Sequence, residues 1–446
     1  MRVSEGSWGV TPVPGRLRTL SALDLTLLWA NLGVSLLVVV TAALIVPALS
    51  LSHALAAIAV GSLAGNLMLA SAGLIGADAR VPAMVLLRAP LGRHGSYAAT
   101  GLNVLQCLGW ATFEIIVIAA AATALSNELF GVGANAVWTL VTGVVALVLA
   151  LMGPVGVVRR VIRKFAVWIV LASLLYLSWW AVAEADLRAL WHAPGRGGTS
   201  FVLAVDLVVA ITVSWIPLAP DYTRFAVDRR AAFLGTGAGY FVAGTWMLAL
   251  GAVLALARGI EDAAELPVAV ASAGAASGLA LLAVTVDEAD EAFANIYSTA
   301  VSLQNVLARV PQRALVAVVA VLATAGALVL DLGRYQTFLL LLGSFFVPLF
   351  GVLFADWLLT GRKYEGHDFF ARPPFRPGLV AAWFAGFALY QWLNPLGPGW
   401  WTSLVERTNP PEAQIGSSLP SFALAFGLAA LAVIIARRAR PASAPA

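Results

Sequence analysis

The sequence predicts an all-α membrane protein with twelve transmembrane helices. Of the 446 residues, 61% are apolar and 11% are charged, whereas a soluble domain is about half apolar and about a quarter charged. Because a helix rises about 1.5 Å per residue and the hydrocarbon core is about 30 Å thick, one crossing needs about 20 apolar residues. Twelve apolar runs are about that long, at residues 24–48, 53–76, 97–124, 135–153, 165–184, 201–225, 236–257, 287–306, 313–330, 335–358, 378–394 and 418–436.

The positions of the basic residues predict how these crossings are oriented. The chain has 27 Lys and Arg residues and a net charge of +4, and basic loops gather on the cytoplasmic side of a membrane. With the N-terminus inside, 22 of them lie on that side, and the other five are Arg188, Arg196, Arg258, Arg334 and Arg407. We therefore expect an inner (plasma) membrane protein with both termini in the cytoplasm. Short basic tracts between apolar runs are typical of membrane topology, so no nucleic-acid partner is expected.

Three segments outside the crossings are expected to have simple roles. Residues 1–22 have no apolar core of a signal peptide and are expected to form a cytoplasmic lead. Residues 438–446 are polar and proline-rich, so a disordered tail is expected. The apolar stretch 266–282 would invert the downstream charge pattern if it crossed, and it is expected to be an external helix or re-entrant cap. The single cysteine, Cys107, excludes a disulfide framework.

Polar residues inside the first and third crossings are candidates for a binding site, because polar groups in a membrane cost free energy unless they line an enclosed cavity. The first crossing contains Asn31, Gly33 and Ser35, although plain helix packing is the better reading of these residues alone. In the third crossing Gln106, Trp110 and Glu114 follow at intervals of four and share one helical face. The Trp110 ring could stack on a flat ligand, and the Glu114 carboxylate could accept hydrogen bonds from its N–H groups. The alternative is a buried Glu114 bound by a neighbouring helix.

The sixth crossing is predicted to be a broken helix. Pro217 and Pro220 lack a backbone donor, so the helix must break between Ser214 and Pro220. A broken helix at membrane depth frees backbone groups, from which transporters build binding sites. Ser214 and Trp215 at the break are therefore candidate substrate ligands, with a plain proline kink as the alternative.

Three charged residues in the same crossing need a separate explanation. Asp206 lies above the break, where a plain kink does not account for it. Asp221 and Arg224 lie at its inner end, and an interfacial ion pair is expected there.

The eighth crossing carries a polar stripe that indicates a cation. Spacings of three and four residues place a set of polar side chains on one helical face, namely Asp287, Asp290, Glu291, Asn295, Ser298 and Ser302. Asp287, Asp290 and Glu291, together with backbone oxygens near Gly33, are candidate cation ligands, and Asp290 is the candidate sodium ligand. Asp287 could instead reach external water.

These residues leave two classes of function open. The first is a secondary transporter with a site at the membrane midplane between crossings one, three, six and eight. The second is an intramembrane metal-dependent enzyme, such as a prenyltransferase with Mg²⁺ on Asp287 and Asp290, although the second acidic motif that this chemistry needs is missing. A channel is less favoured, because no filter-like repeat is present.

Several motifs in order resemble nucleobase:cation symporter family 1, the purine and cytosine permease family, with a cytosine permease-like pattern from about Leu25 to Leu393. They are GADARVPAMVLLRAPLGRHGS, GW in the third crossing, SWIPLAPDYTRF, FANIYS and FLLLLGSFFVPLFGVLFADW. The resemblance implies a leucine-transporter-like fold with a five-plus-five inverted repeat. The two repeats would be residues 23–184 and 201–360, the first helix of each would be broken, and two peripheral helices would follow in 378–437.

The resemblance also implies roles for individual residues. Trp110 would be the stacking residue and Trp215 the aromatic of helix six, while Asn295 would read the ligand edge. Glu114 stands where relatives place a polar residue, often Gln. A sodium site of the family would place Asp290 or Glu291 where relatives have Ser or Thr.

The predicted function is import of a planar nitrogen heterocycle by cation symport and alternating access. The substrate would be of the cytosine, purine, hydroxymethylpyrimidine or hydantoin type, and the coupling ion would be sodium or a proton. No cofactor and no oligomer are expected. A symporter for an amino acid or another small amine is the alternative within the same fold.

Overall fold

The computed structural model describes residues 9–157, 167–260, 265–266, 269, 289–331, 335–408 and 416–438. Within these ranges the chain forms 18 α-helices and no strands, apart from one isolated bridge. The helices are α1 (Ala22–Asn31), α2 (Leu36–Ala43), α3 (Leu51–Ala79), α4 (Ala83–Leu86), α5 (Arg88–Phe130), α6 (Asn135–Val157), α7 (Val167–Glu184), α8 (Leu187–His192), α9 (Phe201–Val213), α10 (Ala219–Thr223), α11 (Arg229–Arg258), α12 (Ala289–Leu303), α13 (Gln312–Ala327), α14 (Tyr335–Leu359), α15 (Gly366–Phe370), α16 (Pro377–Leu393), α17 (Gly399–Glu406) and α18 (Ser418–Arg438).

Each predicted crossing coincides with a helix or with a broken pair of helices in the described residues. Six helices, α3, α5, α6, α11, α14 and α18, are long and apolar enough to span a membrane alone, and the bent pair α1 and α2 would make a seventh. The all-helical prediction is therefore confirmed, whereas the count of twelve crossings stays a prediction. The stretch 266–282, predicted to be an external helix or cap, lies almost entirely outside the described residues.

The first crossing is broken, as the family resemblance implied, although plain helix packing was the better reading of its small residues alone. Helices α1 and α2 meet at an angle of 55°, and Ser35 starts α2 by accepting a hydrogen bond from Leu37 N at 3.1 Å. Gly33 lies in the break against α11, where a Cβ atom would lie 3.1 Å from both Ala243 Cβ and Gly244 N. A larger residue at Gly33 would push the break away from α11.

The sixth crossing is broken at the predicted place. Helix α9 ends at Val213 and α10 begins at Ala219, because Pro217 and Pro220 cannot continue the helical hydrogen bonding. Leu218 N and Ala219 N both bond to the Trp215 carbonyl, at 3.0 and 2.9 Å. The turn therefore closes on Trp215 and leaves the Ser214 carbonyl without its usual partner in the helix.

The charged residues of the sixth crossing have structural roles. The Asp206 carboxylate accepts hydrogen bonds from Ser417 N at 2.6 Å and Ser418 N at 3.2 Å, and so caps the start of α18. Asp221 accepts a hydrogen bond from Ala83 N at 2.9 Å, at the start of α4. The predicted ion pair with Arg224 is wrong, because the Arg224 Nε donates to the Asp221 backbone carbonyl instead, at 3.1 Å.

Arg224 instead connects three parts of the chain. Its guanidinium donates to the Tyr297 hydroxyl on α12 at 3.0 Å and to the Gly9 carbonyl at 3.2 Å, and it lies over the Phe225 ring. These bonds satisfy a cation that is fully buried.

The segment before α1 runs beside the end of α10. Leu20 N donates to the Phe225 carbonyl at 3.0 Å, and Val227 N donates to the Leu20 carbonyl at 2.9 Å. Arg18 Nε adds a bond to the Ala226 carbonyl at 2.9 Å. The starting end of broken helix one is thus hydrogen-bonded to the final end of broken helix six.

A second polar cluster joins the end of α14 to the start of α5. The Asp356 carboxylate is bound by Arg372 at 3.2 Å and Arg376 at 2.9 Å, and both guanidinium groups also donate to the Ala89 carbonyl. Tyr364 donates to the same carboxylate at 2.8 Å. Burial raises the pKa of the Tyr364 hydroxyl well above its usual value, so it remains a proton donor.

Gly92 allows the loop before α16 to lie against α5. It has a φ of +78°, and a Cβ atom there would lie 2.7 Å from the Pro374 carbonyl oxygen. The contact and the positive φ together require glycine.

Candidate functional site

A narrow cavity lies where the two broken helices meet α5, α11 and α12. Its free volume is only about 10 Å³, room for about one water molecule and far below the roughly 300–1,000 Å³ typical of ligand pockets, so the site is closed in this structure. Its lining residues are Ser35, Leu37, Val38, Trp110, Ile211, Ser214, Trp215, Tyr240, Glu291 and Asn295. Five of the sequence-predicted site residues, from three separate crossings, therefore meet in one place.

Trp110 is held on the α5 side of the cavity by aromatic packing. Its ring meets Tyr335 and Phe338 of α14 edge to face, with centroid distances of 5.8 and 5.4 Å. The side chain is only 6% exposed, and its indole N–H has no hydrogen-bond partner in the described part of the chain. A buried indole N–H ordinarily has an acceptor, so the Trp110 donor is left available at the cavity.

Trp215, the second tryptophan of the cavity lining, lies in the break of helix six between α9 and α10. It meets Trp29 edge to face at 5.9 Å and Tyr240 at a tilt of 60° and 6.3 Å. Because the break turns on the Trp215 carbonyl, the position of this ring depends on the backbone of the break.

Asn295 and Glu114 form a buried pair between α12 and α5. Asn295 Nδ2 donates to Glu114 Oε1 at 2.8 Å and to the Glu291 carbonyl at 3.2 Å. Asn295 lines the cavity, while Glu114 is fully buried behind it. The carboxylate thereby orients the Asn295 amide at the cavity wall, and Glu114 itself is bound by the neighbouring helix, as the alternative interpretation of the sequence held.

Gln106 is close to the break of helix six but does not line the cavity. Its Nε2 donates to the Ser214 carbonyl at 3.1 Å and to Asn103 Oδ1 at 2.7 Å. It supplies the partner that the Ser214 carbonyl loses at the break. Asn31, another predicted ligand, is buried at the end of α1 and likewise lies outside the lining.

The predicted cation ligands are only partly described. Glu291 lines the cavity and is 3% exposed. Asp290 belongs to α12, but its side chain is outside the described residues, as is the whole of Asp287. Gly33 lies in the helix-one break, packed against Ala243 and Gly244 of α11. In the described part of the chain no three His, Cys, Asp or Glu side chains form a metal-binding group.

Several lining residues were not among the predicted ligands. Ser35 follows Gly33 at the helix-one break, so a serine that starts the second half of a broken helix was a usable signal. Tyr240 carried no signal, because it is one aromatic residue in an apolar run of α11. Tyr335 and Phe338, which support Trp110, start the tenth predicted crossing and look like ordinary apolar positions.

Comparison with known proteins agrees with this architecture. Residues 12–374 match the family model described as permease for cytosine/purines, uracil, thiamine, allantoin. The chain is 25% identical over 316 residues to the cytosine permease of Escherichia coli strain K12, covering 69% of this chain and 71% of that protein.

Solved transporter structures have a similar fold. Mhp1, a nucleobase-cation-symport-1 family transporter in a closed conformation with bromovinylhydantoin bound, matches with a TM-score of 0.73 at 19% identity, covering 99% of this chain and 98% of that one. A Na⁺-coupled sialic acid symporter in a substrate-bound outward-open state matches with a TM-score of 0.59 at 11% identity, covering 97% and 91% of the two chains.

The apolar helices make the chain a multi-pass membrane protein, and the matched family contains permeases. A transporter is therefore identified, and the intramembrane enzyme considered from the sequence is excluded. Because the family model matches most of this chain, at residues 12–374, the chain belongs to the family of permeases for cytosine/purines, uracil, thiamine and allantoin.

Proposed function

We propose that the protein imports a planar nitrogen heterocycle, of the cytosine, purine, hydroxymethylpyrimidine or hydantoin type, by cation symport and alternating access. It would act as a monomer in the inner membrane with both termini in the cytoplasm. The observation that carries the proposal is the cavity lined by Trp110, Trp215 and Asn295 at the breaks of helices one and six. Two tryptophans and one oriented amide suit a flat ligand with polar edges.

Recognition would divide between ring faces and ring edge. Stacking of a heterocycle on an aromatic side chain contributes about 1–3 kcal/mol where proteins bind nucleic-acid bases, and Trp110 or Trp215 can provide that surface. The Asn295 amide, fixed by Glu114 at 2.8 Å, can bond to the ring edge. The Asn295 Nδ2 donates to Glu114 and to the Glu291 carbonyl, because a carboxylate can only accept hydrogen bonds. The Asn295 Oδ1 would then be the atom that meets a ligand, which favours a ligand that presents N–H groups.

The proposed coupling site lies at the start of α12. Glu291 lines the cavity, Asp290 precedes it, and the helix-one break at Gly33 would supply backbone oxygens. Asp290 would hold sodium with Asp287, Glu291 and those oxygens, since sodium prefers several oxygen ligands. A proton would need only one of these acids, so we favour sodium.

The known relatives support this proposal. A cytosine permease and a transporter with a bound hydantoin both handle flat nitrogen heterocycles, and the sialic acid symporter is coupled to Na⁺. Breaks in the first and sixth crossings also fit two inverted repeats, 23–184 and 201–360.

Uptake into proteoliposomes tests the proposed function. The purified protein is given labelled cytosine, adenine, uracil, hydroxymethylpyrimidine and a hydantoin, each with an imposed sodium gradient, an imposed proton gradient or none. We expect saturable, gradient-driven accumulation of at least one heterocycle. Labelled amino acids in the same panel test the alternative, and accumulation of an amino acid without any heterocycle would overturn the proposal.

A further inference from the structure

The break of helix six exposes a backbone carbonyl that needs a partner. In a continuous helix the Ser214 carbonyl would bond to Leu218 N, but Leu218 N bonds to the Trp215 carbonyl instead. Ser214 is 5% exposed, and an unpaired carbonyl buried at that depth would be costly. The bond from Gln106 at 3.1 Å satisfies this carbonyl.

Gln106 belongs to a hydrogen-bonded chain that crosses three elements. Ser302 of α12 accepts a bond from Asn103 Nδ2 at 2.8 Å, and Asn103 Oδ1 accepts one from Gln106 Nε2 at 2.7 Å. Gln106 then reaches the Ser214 carbonyl. All members are buried, with Asn103 and Gln106 at most 1% exposed, so the chain lies within the protein.

This chain links α5 and α12 to the break of helix six, while Tyr222 and Arg224 link the far side of that break to α12. Helix α5 packs chiefly on α12, whereas α9 and α10 pack chiefly on α3. Alternating access requires the cavity to open on each side in turn, so that contacts between such groups must rearrange. The Gln106 amide lies at this boundary, one turn before Trp110.

We infer that Gln106 is a positioning residue for the substrate cavity: its amide holds the Ser214 carbonyl and so ties the break that carries Trp215 to α5 when the cavity is closed. It touches no substrate itself. The inference rests on the proposed function only for its effect on uptake, because its effect on the packing of α5 can be measured without substrate.

The matched test replaces two glutamines by methionine, which keeps the length of the side chain and removes its hydrogen bonds. Gln106→Met breaks both bonds of the amide. Gln391→Met is the control, since Gln391 is equally buried and lies outside the cavity lining. Its Nε2 donates to Ser344 Oγ at 3.2 Å, and its Oε1 accepts from Leu396 N and Trp401 Nε1 at 2.9 Å each.

Kinetics of uptake provide the first measurement. With a buried carbonyl left unpaired, we expect Gln106→Met to raise KM about ten-fold, equivalent to about 1.4 kcal/mol, with a much smaller change in the maximum rate. Gln391→Met should keep the KM of the parent protein. An unchanged KM in Gln106→Met, or an equal rise in both variants, overturns the inference.

The single cysteine provides the second measurement. Cys107 is fully buried, with its Sγ 3.7 Å from Asn103 Oδ1, so a membrane-permeable maleimide should label it slowly. Gln106→Met should increase the labelling rate several-fold, while Gln391→Met should not. Equal rates in the three proteins would contradict the inference. If the parent protein transports no heterocycle, the proposed function fails, and the labelling rates still decide this inference.

A third variant covers the case in which Gln106→Met does not assemble. A glutamate at this place can donate a hydrogen bond only when protonated. Gln106→Glu should therefore show a KM close to that of the parent protein at acid pH and a raised KM at alkaline pH, each relative to the parent protein at the same pH. A constant ratio across pH would count against the role of the donor.

Discussion

Removal of the Glu114 carboxylate tests how the cavity reads a ligand edge. Glu114 is fully buried and accepts the Asn295 amide at 2.8 Å, within the range of a strong hydrogen bond to a charged group, which contributes about 1.5–3 kcal/mol. In Glu114→Ala the Asn295 amide loses this acceptor and keeps only its 3.2 Å bond to the Glu291 carbonyl, so it is held less firmly. At 1.4 kcal/mol per ten-fold change, we expect substrate affinity to fall by roughly 10- to 100-fold.

Equilibrium binding of the labelled substrate to the purified protein is the suitable assay, because it separates affinity from transport rate. Glu128→Gln is the control, because Glu128 lies on the same helix but is exposed near the end of α5. The affinity of this variant for the substrate should equal that of the parent protein. Glu114→Gln is the informative variant. It keeps an acceptor for Asn295 but adds a donor, so preference should shift from amino-bearing bases towards oxo bases.

A double-mutant cycle identifies the pair itself. If Glu114 acts through Asn295, then Glu114→Ala should have little further effect in an Asn295→Ala background. Fully additive losses would refute the reasoning, as would a folded Glu114→Ala protein with the affinity of the parent.

Three other perturbations address separate parts of the structure. Trp110→Ala should lower affinity by roughly 5- to 150-fold in the same binding assay, because stacking is worth about 1–3 kcal/mol, whereas Trp400→Ala, at a residue 71% exposed, should have no effect. Replacing sodium by choline at fixed pH should abolish accumulation of the substrate, and full uptake in choline with acceleration by a proton gradient would refute sodium coupling. Asp290→Asn should reduce gradient-driven accumulation more than it reduces substrate exchange. Asp206→Ala should lower thermal stability by about 1–2 kcal/mol through loss of the α18 cap, and a large loss of affinity at unchanged stability would disagree with a capping role.

The sequence predicted those features that depend on local chemistry. Pro217 and Pro220 remove backbone donors wherever they occur, so the break of helix six followed from their positions alone. The interval of four between Trp110 and Glu114 likewise placed both on one face of α5. Such features need no knowledge of what packs against the helix.

Other features depend on neighbours that are distant in the chain. Asp206 caps a helix that starts more than 200 residues later, and a single sequence does not show that pairing. Gln106 shares the face of Trp110, yet it bonds to the Ser214 carbonyl because the break leaves that group unpaired. Helical periodicity identifies a face, whereas the partner is set by how the helices pack.

The hydrogen bonds between Leu20 and the end of α10 have a mechanical consequence. They tie together the two half-helices, α1 and α10, that lie on the same side of the two breaks. While these bonds hold, a tilt of one half about its break would pull on the other. We therefore expect the two halves to move together, so that one tilt of the joined pair would open or close that end of the cavity in a single step.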